Sequence, residues 1–77
     1  MKTVKETVRE IISEHFSLDE IGDNTSIVEL GADSLDGLEI IVFVEEELGV
    51  KIPDEDTDRL LTVDQITEYV EALRATV

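Results

Sequence analysis

Apolar residues recur at helical spacing near both ends of the chain. In residues Thr3 to Phe16 they return every three or four positions, which places them on one face of a helix. The first residue of this segment and Glu6 have the form of a capping box, in which each side chain satisfies a backbone N–H of the other. Residues Thr62 to Ala75 repeat this form with Gln65. Both patterns predict amphipathic helices.

The middle segment, Ser34 to Leu48, suits two kinds of secondary structure. Residues Ile40 to Val44 are rich in β-branched side chains, which favour a buried strand. The length of the segment favours a helix instead, because its apolar pattern continues over about four turns. Gly49 provides the stop that ends many helices, and Asp33 can cap the start. We therefore predict a second helix here.

The remaining segments are expected to be irregular. Residues Ser17 to Asp33 hold many turn formers and predict a long loop. Scattered apolar residues are expected to anchor this loop to the core: Leu18, Ile21, Ile27, Val28 and Leu30. A connector follows the second helix from Val50 to Asp58, and Asp56 to Leu61 predict one short helical segment. The whole predicts an all-α fold, a small helical bundle forming a single domain over residues 1–77.

The second predicted helix has two apolar sides. At about 100° per residue, the broader side is expected to face the core and collects Gly37, Ile40, Ile41, Val44 and Leu48. The other side carries Leu35, Leu38 and Val42, and acidic residues border it. Because a small bundle cannot easily bury a helix all round, this side predicts an exposed apolar strip framed by carboxylates, which is typical of a docking surface. The alternative is that all three residues belong to the core.

Charge narrows the classes of partner. The 77-residue chain has a net charge of −14, and its residues 10–50 include twelve acidic residues but neither Lys nor Arg. This balance argues against nucleic acids and anionic membranes and favours basic protein partners. No apolar run has the length of a signal peptide core or a membrane span. We expect a cytoplasmic protein, and we also expect it to be a monomer.

Ser34 is the candidate functional residue, and its hydroxyl admits three interpretations. Catalysis is poorly supported, because the chain has no Cys, no G-x-S-x-G motif and a single His, His15, which is predicted to pack on a buried helix face. Helix capping is possible, but Asp33 can already perform it. Covalent attachment of a phosphate ester makes physical sense, because the positive end of a helix dipole favours an anion.

The residues around Ser34 resemble the modification motif of the acyl carrier proteins. The strongest match is Leu-Gly-Ala-Asp-Ser-Leu-Asp over residues 30–36, and it is supported by Leu-Glu-Ile at 38–40, the acidic run at 45–47 and Ile-Pro-Asp-Glu-Asp at 52–56. The resemblance covers essentially the whole chain. It implies a four-helix bundle with a short third helix. It also implies that Ser34 carries 4′-phosphopantetheine, transferred from coenzyme A, whose thiol holds acyl groups as thioesters in a protein without catalysis of its own.

The resemblance also assigns roles to other residues. The implied partners are a phosphopantetheinyl transferase and fatty-acid or polyketide synthase enzymes with basic docking patches. The residues implied to dock them are Asp33, Leu35, Asp36, Leu38, Glu39, Val42 and Glu46. An acyl chain between the helices would be lined by Ile27, Val44, Ile52, Leu60, Ile66 and Tyr69, although ordinary core is the alternative for these six. Gly37, on the core side near Ser34, would widen the entrance.

Several functions stay open at this point. The first is a carrier for fatty-acid synthesis, and the second is a specialised carrier of polyketide, modified-lipid or aminoacyl groups such as D-alanyl. Gly37, Val42 and Phe43 depart from the residues common in the family, which keeps the specialised carrier in view. An unmodified acidic interaction module belongs to a different class. The acidic residues from Asp54 to Asp58 resemble the start of a calcium-binding loop. Arg59 and Gln65, however, occupy the positions where such a loop requires Gly and Glu, so no specific metal site is expected.

Overall fold

A computed structural model of the chain describes residues 2–75 and contains three α-helices and one 3₁₀ helix. The α-helices are α1 (Val4–His15), α2 (Ser34–Leu48) and α3 (Val63–Ala75), and the 3₁₀ helix (Asp54–Arg59) lies between α2 and α3. Residues 2–75 contain no strand, so the predicted all-α class is confirmed. No helix in this range is both long and apolar enough to span a lipid bilayer.

Side-chain caps define where the first and last α-helices begin. At α1, the Glu6 backbone N–H donates to Thr3 Oγ1 at 3.1 Å, and the Thr3 N–H donates to the Glu6 carboxylate at 3.3 Å. At α3, the Gln65 N–H donates to Thr62 Oγ1 at 3.0 Å. The Gln65 side chain, however, accepts from the Leu61 N–H at 2.9 Å, whereas a capping box would use the N–H of the cap residue. Of the two hydrogen bonds of the predicted capping box at α3, only the one to Thr62 Oγ1 therefore forms.

Helix α2 has the bounds that its sequence predicts, despite its β-branched centre. Asp33 is its N-cap, and its C-cap Gly49 has φ 64° and donates its N–H to the Glu45 carbonyl at 2.9 Å. Glycine adopts this left-handed conformation without steric cost, so the helix ends there. The local signals at both ends outweigh the strand propensity of the middle.

The core lies between the three α-helices. Helix α1 packs against both α2 and α3, and the 3₁₀ helix packs against α2. The predicted core side of α2 is confirmed, because Ile40, Ile41 and Val44 are buried. The remaining buried apolar residues come from α1, α3 and the segments that connect the helices: Val8, Ile12, Ile27, Ile52, Leu60, Val63, Ile66 and Val70.

The long loop between α1 and α2 is attached to the core mainly through Ile27. This residue is buried, and its N–H donates to the Leu61 carbonyl at 2.8 Å. Ile21 and Leu30 also pack partly against the core. The prediction is wrong for two anchors, because Leu18 and Val28 are exposed. Ser17, with φ 56°, turns the chain away before Leu18, and Val28 follows Ile27 in a tight turn that directs it outwards.

Charged side chains attach the same loop to the helices. Asp23 accepts hydrogen bonds from the Arg9 guanidinium at 2.7 and 3.2 Å. Lys5 lies 3.0 Å from Asp23 and 3.0 Å from Asp64, which connects α1, the loop and the start of α3. The Arg9 guanidinium, followed by Lys5, holds the pKa of the Asp23 carboxyl below its ordinary value. The sequence pattern gave no indication of this cluster.

The short helical segment begins and ends two residues earlier than predicted. Its observed range, Asp54–Arg59, replaces the predicted Asp56 to Leu61. Pro53 precedes it with φ −60°, a backbone angle that proline imposes and that suits a helix start. Leu60 is buried and the Leu61 carbonyl accepts from the loop, so both leave the helix to make tertiary contacts.

Candidate functional site

Ser34 is the first residue of α2, and its side chain is exposed. The residues on either side form the cap: the Asp36 N–H donates to Asp33 Oδ1 at 2.9 Å, and the Asp33 N–H donates to Asp36 Oδ2 at 3.0 Å. Within residues 2–75, the Ser34 hydroxyl makes no hydrogen bond. The capping role is thus filled by Asp33, and the serine hydroxyl is accessible at the helix start.

The chain reaches Ser34 through a tight turn. The Gly31 N–H donates to the Val28 carbonyl and the Ala32 N–H to the Ile27 carbonyl, both at 3.0 Å. Gly31 has φ 94°, a backbone conformation that residues with a side chain rarely adopt, which explains the glycine at this position. Because Ile27 is buried, this turn fixes the position of Ser34 relative to the core.

His15 connects the end of α1 to the start of α2. Its Nε2 atom lies 3.0 Å from Asp36 Oδ1, and its side chain is 14% exposed. The ring also makes an edge-on contact with Phe16, with ring centroids 5.0 Å apart. The prediction that His15 only packs was therefore incomplete. The hydrogen bond between His15 and the Asp36 carboxylate, followed by that from the Asp33 backbone N–H, holds the pKa of the Asp36 carboxyl below its ordinary value.

Asp36→Asn should weaken the pH dependence of stability in the acid range. An aspartate whose folded-state pKa lies below its unfolded value of about 3.9 stabilises the fold above that value, and this stabilisation is lost as pH falls through the folded-state pKa. Asparagine cannot titrate. The variant should therefore melt at a lower temperature than wild type near neutral pH, and the difference should shrink as the medium is acidified. Melting curves followed by circular dichroism test this.

Asp19→Asn is the matched control, because Asp19 is exposed and makes no side-chain hydrogen bond within residues 2–75. It removes one carboxylate from a chain of net charge −14 and so corrects for the general relief of repulsion. Equal acid-range profiles for the two variants would show that the contact between His15 and Asp36 does not stabilise the fold.

The apolar strip on α2 is exposed. Leu35 is 63%, Leu38 46% and Val42 48% exposed. The prediction of exposure is confirmed, and the alternative that these residues belong to the core is wrong. Glu39 and Glu46, which flank the strip, are exposed as well.

A surface groove of about 470 Å³ lies beside Ser34, between α2, the loop and the 3₁₀ helix. Its lining includes Ile27 and Gly37 from the predicted acyl-lining set. A Cβ atom built on Gly37 would lie 3.8 Å from Ile27 Cδ1, so glycine leaves room here for about one methyl group. Four other members of that set are buried in the core below: Val44, Ile52, Leu60 and Ile66.

Tyr69, the last member of the predicted acyl-lining set, is half-buried and donates its hydroxyl to Asp56. Asp56 also pairs with Arg59. The hydrogen bond from Tyr69 holds the pKa of the Asp56 carboxyl below its ordinary value. Over residues 2–75, no three His, Asp or Glu side chains group in a way that could hold a metal ion. The aspartate of the calcium-like pattern nearest the core is thus engaged in internal hydrogen bonds.

Residues 2–75 thus form an all-helical fold that displays a free serine hydroxyl at an acidic helix start. The family model described as "Phosphopantetheine attachment site" matches residues 2–70, which is most of the chain. The chain belongs to this phosphopantetheine-binding family, and its resemblance to the acyl carrier proteins is confirmed. Its covalent cofactor is 4′-phosphopantetheine, and its general partners are a phosphopantetheinyl transferase and synthase enzymes.

Proposed function

We propose that the protein carries acyl groups for fatty-acid biosynthesis in the cytoplasm, on a 4′-phosphopantetheine arm attached to Ser34. The observation that carries this proposal is the exposed hydroxyl at the first position of α2, which the cap does not use. Asp33 and Asp36 hold the helix start in place around it. A transferase can therefore reach the oxygen without unfolding the helix.

The helix start also suits the phosphate of the arm. The first backbone N–H groups of a helix have no partner inside the helix and lie at its positive end, where an anion is stabilised. The arm supplies a terminal thiol that holds acyl groups as thioesters. The 77 residues contain no Cys, so the chain has no thiol of its own that could compete with the arm.

The exposed strip and its carboxylates support the proposal of a docking surface next to Ser34. Apolar contact would come from Leu35, Leu38 and Val42, and charge would come from Asp33, Asp36, Glu39 and Glu46. Apolar contact supplies affinity, while the carboxylates accelerate the encounter with a basic partner. The Asp33 and Asp36 carboxylates each accept the backbone N–H of the other residue, and Asp36 is the one that also binds His15. We propose that Asp36 contributes mainly by holding the site in shape.

Glu39→Lys with Glu46→Lys should slow modification by a transferase by about tenfold or more and flatten its dependence on salt. Both side chains are exposed, so the change should leave the fold intact. Steering by charge raises association rates by about 10- to 1,000-fold and weakens as ionic strength rises. The measurement is kcat/KM for transfer from coenzyme A at several salt concentrations.

Glu68→Lys with Glu71→Lys provides the matched control. Both residues are exposed on α3, and the double change alters the net charge by the same amount. If this control slows modification as much as the α2 variant, net charge alone governs the rate. The α2 carboxylates would then have no special place in docking.

The groove beside Gly37 supports the further proposal that an acyl chain enters the core there. The candidate lining is Ile27, Gly37, Val44, Ile52, Leu60, Ile66 and Tyr69. Entry would pass the space that Gly37 leaves open against Ile27 and continue between α2 and the 3₁₀ helix. The core residues would have to separate slightly, because the side chains of Val44 and Ile66 are fully buried.

Mass spectrometry tests the proposed function in two steps. Incubation with coenzyme A and a broad-specificity transferase should add the mass of one phosphopantetheine to the folded chain. Failure to add it would remove the carrier function. The mass of the group bound to protein from its native source then identifies the cargo. A series of saturated, hydroxy and keto acyl groups supports fatty-acid synthesis, whereas an aminoacyl or a branched polyketide group identifies a specialised carrier.

A further inference from the structure

A second groove lies between α1 and α2, on a different side of α2 from the exposed strip. It has a volume of about 590 Å³, and its apolar lining comes from Phe43 of α2 and Ile11 of α1. Phe43 is 46% exposed although its ring is large and apolar. Phe43 follows Val42 directly, so the two side chains lie about 100° apart around the helix. The groove is therefore separate from the strip beside Ser34.

Four carboxylates surround this apolar lining. Glu10 and Glu14 come from α1, and Glu39 and Glu47 come from α2. All four side chains are exposed. An aromatic residue at the centre with charged residues at the edge is the arrangement of a protein-binding surface, in which the apolar contact supplies affinity and the charges select the partner.

The position of Lys2 shows which charge suits this groove. Lys2 belongs to the lining, and its ammonium group donates to the Glu10 carboxylate. This hydrogen bond, together with the charges of Glu10, Glu14 and Glu47, raises the pKa of Lys2 above its ordinary value. A cationic side chain is therefore already stabilised at one end of the groove, and the carboxylates beyond it can accept others.

Charge also decides between the possible occupants. A second copy of this chain would bring a net charge of −14 against the same carboxylates, so self-association is opposed. Nucleic acids and anionic lipids are opposed for the same reason. A protein helix with an apolar face bordered by Lys or Arg complements both the aromatic centre and the acidic edge.

We propose that the α1/α2 groove binds a basic amphipathic helix of a partner protein, with an apolar side chain on Phe43 and Lys or Arg side chains on the surrounding glutamates. This inference goes beyond the carrier role, because it requires neither Ser34 nor the arm. The protein would then have two docking surfaces on α2, and Glu39 would lie between them.

The test uses the full chain without the arm and a synthetic helical peptide with leucines on one face and lysines on the other. Nitrogen-15 NMR titration should show the largest shifts in residues 7–15 and 39–47. Phe43→Ala should raise the Kd about tenfold or more, as is usual for the loss of an aromatic anchor. Glu14→Gln with Glu47→Gln should also weaken binding and reduce its salt dependence.

Two matched variants serve as controls. Leu18→Ala truncates an exposed apolar residue of the loop between α1 and α2, and Glu68→Gln with Glu71→Gln removes two carboxylates from α3. Both should keep the Kd within about twofold of wild type, as expected for residues outside a binding surface. The glutamate variants change only exposed side chains, so their Kd values still test the proposal even if Phe43→Ala lowers stability.

Two results would overturn the proposal. In the first, Val42→Ala weakens peptide binding more than Phe43→Ala does, which would place the peptide on the strip beside Ser34. In the second, spermidine shifts the same amides as the peptide and Phe43→Ala leaves peptide binding unchanged. Binding would then depend on charge alone, without an apolar anchor.

Discussion

Ser34→Ala is expected to abolish phosphopantetheine attachment while leaving the fold unchanged. The Oγ atom is the oxygen that the proposed phosphate ester would contain, and alanine provides no replacement. The start of α2 should survive, because Asp33 and Asp36 form its cap without the serine hydroxyl. The free energy of unfolding should change by about 0.5 kcal/mol or less. Intact mass after transferase treatment and a circular dichroism melting curve measure the two effects on one sample.

Ser26→Ala tests whether the effect belongs to position 34. Ser26 lies in the loop before α2, and its hydroxyl accepts a hydrogen bond from the Val28 N–H at 3.2 Å. This variant should gain the arm as wild type does. Attachment to a folded Ser34→Ala protein would place the arm on another residue, and the site proposed at the start of α2 would have to be abandoned.

The α-helices were predictable because their ends depend on neighbouring residues. Asp33 and Gly49 directly flank α2, so their effect can be read from the sequence without a tertiary structure. The end of the 3₁₀ helix was misplaced by two residues for the opposite reason, whereas its start follows Pro53, a local signal that the prediction overlooked. Its end depends on the hydrogen bond between the Ile27 N–H and the Leu61 carbonyl, and these residues lie far apart in the sequence. No local pattern encodes such a pairing.

The candidate site divides in the same way. The position of Ser34 and the exposed strip followed from helical periodicity and from the family resemblance. The hydrogen bond between His15 and Asp36 could not be predicted in this way. It joins two different helices, and no sequence pattern indicates which residues of two helices will meet. The groove at Phe43 was also missed, since its other wall is α1. Sequence periodicity separates the sides of one helix but does not show which neighbour each side faces.

The same loss of side-chain volume should lower stability much more on the buried side of α2 than on its exposed side. Ile40→Ala and Leu38→Ala each remove three side-chain carbons, but Ile40 is 1% exposed and Leu38 is 46% exposed. The buried truncation should lower the free energy of unfolding by about 2–5 kcal/mol, because it loses apolar burial and leaves a cavity. The exposed one should cost less than about 1 kcal/mol. Alanine favours helix at both positions, so helix propensity does not explain a difference. Urea denaturation measures both values.

The rate of modification should show the reverse order. At a temperature where both variants are folded, Leu38→Ala should slow transfer from coenzyme A, because it removes apolar contact from the proposed docking strip. Ile40→Ala should react at a rate close to wild type, since its side chain cannot touch a partner. If Leu38→Ala were modified at the wild-type rate, the exposed strip would have no part in docking the transferase. If it destabilised the fold as much as Ile40→Ala, the two sides of α2 would not be distinct, and the strip would be part of the core after all.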